Sequence, residues 1–136
     1  MNDITLGVLG GLGPMSGVLF CQILTAHTKA STDREHLNFL LSSRADTPDR
    51  TDFILGASNL DPAPVMIEEV NKLVNAGADI IAIPCNTAHY FYEQIAQNCD
   101  VPIINIIKET VDFCNFQEAQ KNRCHGYVGN LKVGRI

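Results

Sequence analysis

The sequence has no run of basic residues, no CxxC pair and no apolar stretch long enough to cross a bilayer. Its formal net charge is −5 over 136 residues, so neither nucleic acid nor an anionic membrane surface has electrostatic support as a partner. The N-terminus lacks the basic region and long apolar segment of a signal peptide. Hydrophobic residues make up 46% of the chain and charged residues 18%, which indicates a soluble globular protein.

The cysteines are odd in number and scattered, which argues against a disulfide framework and against a zinc ribbon or finger. The five are Cys21, Cys85, Cys99, Cys114 and Cys124. Cys21 is expected in the core, and only Cys85 has a distinctive setting. We therefore predict a reduced, cytoplasmic protein without a metal site.

Short apolar runs alternate with segments of helical spacing along the chain. Strands are predicted at residues 4–9, 37–41, 79–83 and 101–104, and helices at about 15–28, 61–77, 86–97 and 107–121. This alternation is typical of βαβ units, in which helices cover both faces of a parallel sheet. The prediction is an α/β fold with a four-stranded parallel sheet between helices, a flavodoxin-like three-layer sandwich.

The end of the chain is less regular. Residues 124–136 (CHGYVGNLKVGRI) resemble the start of another strand, with no further segment for it to pack against. We therefore expect an α/β domain over residues 1–121, and a tail or the start of a truncated second domain over residues 122–136.

Ligands of parallel sheets bind beyond the carboxyl ends of the strands, and the loop at residues 10–14 (GGLGP) follows the first strand there. Backbone amides at the helix start favour an anion site, although a tight turn without a ligand explains the loop equally well. Gly11, Gly13 and Ser16 keep the spacing of a dinucleotide fingerprint. That interpretation is disfavoured, because Pro14 removes an amide donor and no acidic residue ends the second strand.

A second loop, residues 47–51 (TPDRT), contains Arg50. An arginine at this edge of a sheet can bind a carboxylate through two parallel hydrogen bonds. Taken alone, the loop is explained as well by a solvated Arg50 paired with Asp49 or Asp52.

The third loop begins at Pro84 and contains Cys85 directly after an apolar strand and before a predicted helix. The positive end of a helix and its unpaired amides favour a thiolate, so Cys85 is the candidate reactive group. An inert buried thiol is the alternative. His89 lies four residues later, which permits a metal pair or a Cys–His nucleophile, but it is more simply explained as a capping or packing residue.

The three loops, GGLGP at 10–14, PDRT at 48–51 and PCNTAH at 84–89, together resemble the aspartate/glutamate/hydantoin racemase superfamily, and most closely its aspartate racemase branch. The resemblance covers residues 1 to about 120. It implies proton transfer at the α-carbon of aspartate or glutamate by two cysteines from two similar domains, without pyridoxal phosphate or metal. The implied substrate is a small acidic amino acid. Separately, a half-protein is expected to expose apolar surface that a second domain would cover, which predicts a homodimer or aggregation.

By this resemblance Cys85 is one catalytic cysteine, and Asn86 and Thr87 bind the α-carboxylate. Leu12 and Gly13 border the substrate, and Arg50 binds the side-chain carboxylate.

Two features depart from the family pattern. Gly17 occupies a position where the family's first helix usually has threonine, and the 136 residues are expected to end before the second domain that bears the second cysteine. The alternatives are a catalytically dead module that binds a carboxylate or forms oligomers, and a related hydantoin racemase or maleate isomerase. Arg50 in its PDRT context favours an acidic amino acid over the related enzymes.

Overall fold

Four parallel strands form a sheet in the computed structural model, which describes residues 4–128 and the side chains of residues 4–121. The strands are β1 (Thr5–Gly10), β2 (Asn38–Ser43), β3 (Ile80–Ala82) and β4 (Ile103–Ile104). Their order across the sheet is β2-β1-β3-β4, so β1 lies inside the sheet and is paired on both sides. The predicted four-stranded parallel sheet is confirmed.

The helices alternate with the strands. They are α1 (Pro14–His27), α2 (Arg50–Ile54), α3 (Ala63–Asn75), α4 (Tyr92–Ala96) and α5 (Ile106–Val128), with short 3-10 helices at Asp33–Glu35 and Thr87–Phe91. None of the helices described between residues 4 and 128 has the length and apolar character needed to cross a membrane.

Two apolar layers pack on opposite faces of the sheet, because side chains alternate between the faces along a strand. On β1, Leu6 and Val8 pack with Cys21 of α1. Leu9 points the other way and belongs to a larger cluster with Met66 and Val70 of α3. The predicted helical layers on both faces are therefore present, and they hold the carboxyl ends of the strands in place.

Local sequence explains where several helices begin and end. Pro14 occupies the first turn of α1, where its missing N–H costs no hydrogen bond. The side chain of Asp49 caps α2 by accepting a hydrogen bond from the amide of Asp52 at 2.9 Å. Gly77 follows α3 with a φ of 102°, a conformation that glycine adopts without steric cost.

The structure corrects three predictions. The loop predicted at residues 47–51 ends sooner than expected, because Arg50 is already the first residue of α2. The single helix predicted at 86–97 is a 3-10 helix followed by the five-residue α4. The strand predicted from Cys124 is wrong as far as the structure describes it, since α5 continues through residue 128; residues 129–136 lie outside the described part.

By internal contacts the chain divides into two units. Residues 1–106 include the whole sheet, and the described part of residues 107–136 is helical. The domain boundary predicted at residue 121 stays a prediction.

Candidate active site

A cleft of about 490 Å³ opens at the carboxyl edge of the sheet. Residues that follow β1, β3 and β4 form its walls together with the first turns of α1. Its lining residues are Leu12, Ser16, Phe20, Ala82, Pro84, Cys85, Asn86, Thr87 and Ile106. Loops after different strands therefore meet here, as expected for a ligand site of a parallel sheet.

Cys85 lies on the wall of the cleft just beyond β3. A tight turn brings its amide to 2.8 Å from the carbonyl oxygen of Ile83, and its Sγ lies 3.4 Å from Oγ1 of Thr87. The side chain is partly exposed. The helix that follows is a short 3-10 segment, so the dipole of a long helix contributes less here than the sequence suggested. The Thr87 hydroxyl is the polar partner that the structure shows for the sulfur.

His89 is buried one turn after Cys85, and neither of its ring nitrogens is bonded to the thiol. Its Nδ1 lies 2.8 Å from the carbonyl oxygen of Cys85. Its Nε2 lies 3.2 Å from the amide nitrogen of Ile106. These contacts contradict a Cys–His nucleophilic pair and agree with the capping role considered for His89.

The glycine loop is shaped by a close approach to the end of β2. Gly11 has a φ of 82°, and a Cβ built at this position would lie 2.5 Å from the backbone nitrogen of Arg44. Glycine is the residue that tolerates both conditions. Gly17 is also confined, since a Cβ there would lie 3.1 Å from Cα of Gly10. The packing of α1 on β1 therefore favours glycine at position 17.

Arg44 and Glu69 fasten the end of β2 to α3. Oε1 of the buried Glu69 accepts from Nη1 of Arg44 at 3.1 Å and from Nζ of Lys72 at 2.7 Å. Its Oε2 accepts from Oγ of Ser42 at 2.6 Å. Hydrogen bonds from Lys72 and Ser42 lower the pKa of Glu69 to about 2.

Arg50 lies at the start of α2, and its guanidinium bonds to the loop that precedes it. Nη1 donates to the carbonyl oxygens of Thr47 and Pro48 at 3.4 and 3.1 Å. Nε is buried without a hydrogen-bond partner among the described atoms. Phe53 of α2 packs against Phe91 with ring centroids 5.8 Å apart, which attaches α2 to the segment after Cys85. Arg50 itself is not among the residues that line the cleft.

Residues 9–131 match the family model for Asp/Glu/hydantoin racemase. The chain belongs to this family. The broad-specificity amino-acid racemase RacX of Bacillus subtilis (strain 168) is 34% identical over 113 residues, which are 78% of this chain and 47% of that protein. The predicted family is confirmed.

Solved racemase structures share the fold. The aspartate racemase of Picrophilus torridus has 28% identity and a TM-score of 0.70, with 76% of this chain and 44% of that one covered. An aspartate racemase homologue from Pyrococcus horikoshii OT3 has 18% identity and a TM-score of 0.69, with 86% and 50% covered, and shows the fold alone. The chain thus spans about half the length of the relatives it matches.

The cleft brings together four of the six site residues predicted for this racemase-family chain: Leu12, Cys85, Asn86 and Thr87. Gly13 and Arg50 do not line it. Sequence reasoning missed Ser16, Phe20 and Ile106 as lining residues. The spacing of Ser16 and Phe20 was an available signal. Residues four apart lie on the same face of a helix, and this helix begins directly after the glycine loop.

The other described cysteines lack the setting of Cys85. Cys21 is buried in the core as predicted, and burial raises the pKa of its thiol. Cys99 donates to the carbonyl oxygen of Val101 at 3.3 Å, and Cys114 is exposed on α5. Within the described residues, no three His, Cys, Asp or Glu side chains come together as metal ligands would.

Proposed function

We propose that this chain is one domain of a racemase that moves the α-proton of aspartate or glutamate, with Cys85 as its acid–base group and no cofactor. The observation that carries the proposal is the position of the Cys85 thiol, partly exposed on the wall of a cleft and 3.4 Å from the Thr87 hydroxyl. A proton-transfer group must reach the substrate and must have polar neighbours that support its charged form.

The reaction requires a proton to leave one face of the α-carbon and another to arrive on the opposite face. The Cys85 thiolate takes the α-proton and becomes a thiol, and the electron pair is delocalised into the α-carboxylate. Asn86 and Thr87 bind that carboxylate, and Leu12 and Gly13 border the substrate. The second proton comes from a group outside the described domain. This agrees with the length of the matched relatives, which are about twice as long as the segment that this chain covers in them.

Cys85 should be alkylated by iodoacetamide faster than the other described cysteines. Cys21 is shielded and its raised pKa disfavours the thiolate, while Cys99 is partly buried and bonded to a carbonyl. Cys114 is the sharper control, because it is exposed, so that access of the reagent does not limit its labelling. Peptide mass spectrometry after brief labelling measures the four rates. Labelling led by Cys114 or by Cys21 would remove Cys85 from its proposed role.

Arg50 is proposed to bind the side-chain carboxylate of the substrate. Its two main-chain hydrogen bonds come from Nη1 alone, and its buried Nε has no partner in the described residues. Because Arg50 does not line the cleft, binding requires the guanidinium to turn towards it. Replacing Arg50 with Lys should weaken aspartate binding about tenfold, because an ammonium group cannot reproduce the planar fork. Isothermal titration measures the affinity; Arg34→Lys, on the 3-10 helix at Asp33–Glu35, is the matched control. Equal affinity in wild type and Arg50→Lys would exclude the role.

The chain is also proposed to form a homodimer. α1 is apolar on more than one face, and Met15, Leu19 and Ile23 are between 49% and 73% exposed. A helix that is apolar nearly all round is normally covered. Sedimentation should therefore show self-association that weakens when Leu19 and Ile23 are replaced by Gln. A monomer at high concentration would contradict the proposal.

A further inference from the structure

His89 connects two walls of the cleft. Cys85 and Ile106 both line it, on segments that follow β3 and β4. The imidazole lies between their main chains, with Nδ1 at 2.8 Å from the Cys85 oxygen and Nε2 at 3.2 Å from the Ile106 nitrogen. The ring is buried, so these polar contacts are made where water competes little.

The two partners determine which nitrogen carries the proton. A carbonyl oxygen can only accept a hydrogen bond, so Nδ1 must be the donor to Cys85. A backbone amide can only donate, so Nε2 must be the acceptor from Ile106. Only the neutral imidazole protonated on Nδ1 satisfies both contacts at once. A proton on Nε2 would point at the Ile106 N–H and break the second bond.

Tyr92 supports the same arrangement. Its ring stacks on His89 with centroids 6.0 Å apart and an angle of 11° between the planes. Its hydroxyl donates to the carbonyl oxygen of Ile103 at 3.0 Å. The helical segment after Cys85 is therefore attached at two separate points, to β4 through Tyr92 and to the first residue of α5 through His89.

We propose that His89 is a positioning residue that, as the neutral Nδ1–H tautomer, holds the main chain of Cys85 at a fixed distance from the opposite cleft wall at Ile106. It does not exchange protons with the thiol, since neither ring nitrogen is bonded to Sγ. The benefit of this positioning for catalysis rests on the proposed function. The tautomer of His89 and the placement of Cys85 do not depend on it.

The first test is the tautomer. In a chain labelled with ¹⁵N-histidine, the ring-nitrogen spectrum of His89 at neutral pH should show a protonated Nδ1 and an unprotonated Nε2. The His89→Gln variant identifies the signal among the four histidines, because that signal alone disappears. A proton on Nε2, or on both nitrogens, would overturn the proposal.

The second test is the alkylation rate of Cys85 relative to that of the exposed Cys114. His89→Leu removes both contacts, and the ratio should fall at least about fivefold, the factor that corresponds to the loss of one neutral hydrogen bond. His89→Gln can donate and accept with its amide, and should keep the ratio within about twofold of wild type. His27→Leu is the matched control, because His27 on the exposed end of α1 makes a similar Nδ1 contact to the Ile23 carbonyl at 2.9 Å.

A ratio that does not fall in His89→Leu, or that falls equally in His89→Gln, would contradict the positioning role. If the Leu variant fails to fold, the wild-type tautomer and the Gln variant still decide the question. Neither measurement uses an amino-acid substrate, so a failed racemase assignment and a failed positioning role give different results.

Discussion

Incubated with L- or D-aspartate in heavy water, the 136-residue chain should invert neither enantiomer appreciably and should take up deuterium slowly from one of them. One thiol can remove and return a proton only on the face that it contacts. Water can replace a second positioned proton donor only poorly, because it is neither positioned nor matched in proton affinity. Exchange with retention of configuration is therefore the expected reaction of this domain.

Cys85→Ser should reduce the deuterium uptake at least about 100-fold, the usual contribution of a positioned acid–base group. The hydroxyl occupies nearly the same space but gives up its proton far less readily than a thiol. Cys114→Ser is the matched control, since Cys114 is exposed on α5 and should not affect the rate. Chiral chromatography measures inversion, and proton NMR measures loss of the α-proton signal.

The other outcomes of this experiment are also informative. Robust interconversion of the enantiomers would contradict the account and would require a second acid within the chain or across a homodimer interface. Aspartate binding without any uptake would instead favour the alternative of a catalytically dead carboxylate-binding module.

Local sequence predicted the parts of the fold that local physics controls. Apolar runs and their spacing predicted the four strands, and they also predicted that Cys85 directly follows the third strand. The reactivity of Cys85 stays a prediction. The start of α2 was missed although its signal was present, because Asp49 is a capping residue and its side chain does accept from the Asp52 amide. The preceding proline and the polar composition had instead favoured a loop.

Contacts between distant residues account for what sequence could not predict. His89 lies between Cys85 and Ile106. Ile106 is 17 residues after His89, and no periodic pattern in the sequence marks the contact between these two. Glu69 lies on the buried side of α3 beside Val70, where a charged residue contradicts the expected apolar face. Its partners Ser42 and Arg44 are 27 and 25 residues earlier, so only the assembled sheet explains the burial.

Glu69 should make this protein sensitive to acid in a defined range of pH. Its pKa is lowered from 4.5 to about 2, first by the hydrogen bond from Lys72 and then by that from Ser42. A lowered pKa in the folded state means that the ionised carboxylate stabilises the fold fully above about pH 4.5. The contribution is lost as the pH falls through about 2, and linkage sets its upper limit at about 3 kcal/mol.

The measurement is urea unfolding of wild type and Glu69→Gln between pH 7 and pH 2. The variant should be less stable at pH 7 by about 1–3 kcal/mol, because the glutamine amide cannot replace charge-assisted bonds to Arg44 and Lys72. The difference should shrink as the pH falls below about 4.5, since wild type then loses the same interaction.

Glu68→Gln is the matched control on the same helix. Glu68 pairs with the same two cations, Arg44 at 3.2 Å and Lys72 at 2.7 Å, but its side chain is 54% exposed whereas that of Glu69 is 8% exposed. Solvent screens such a pair, so its removal should change stability little at any pH. Equal losses in the two variants would show that burial does not distinguish them. A difference between wild type and Glu69→Gln that persists in full at pH 2 would place the effect in packing, because at a pH near the folded-state pKa most of the contribution of the ionised carboxylate is already lost.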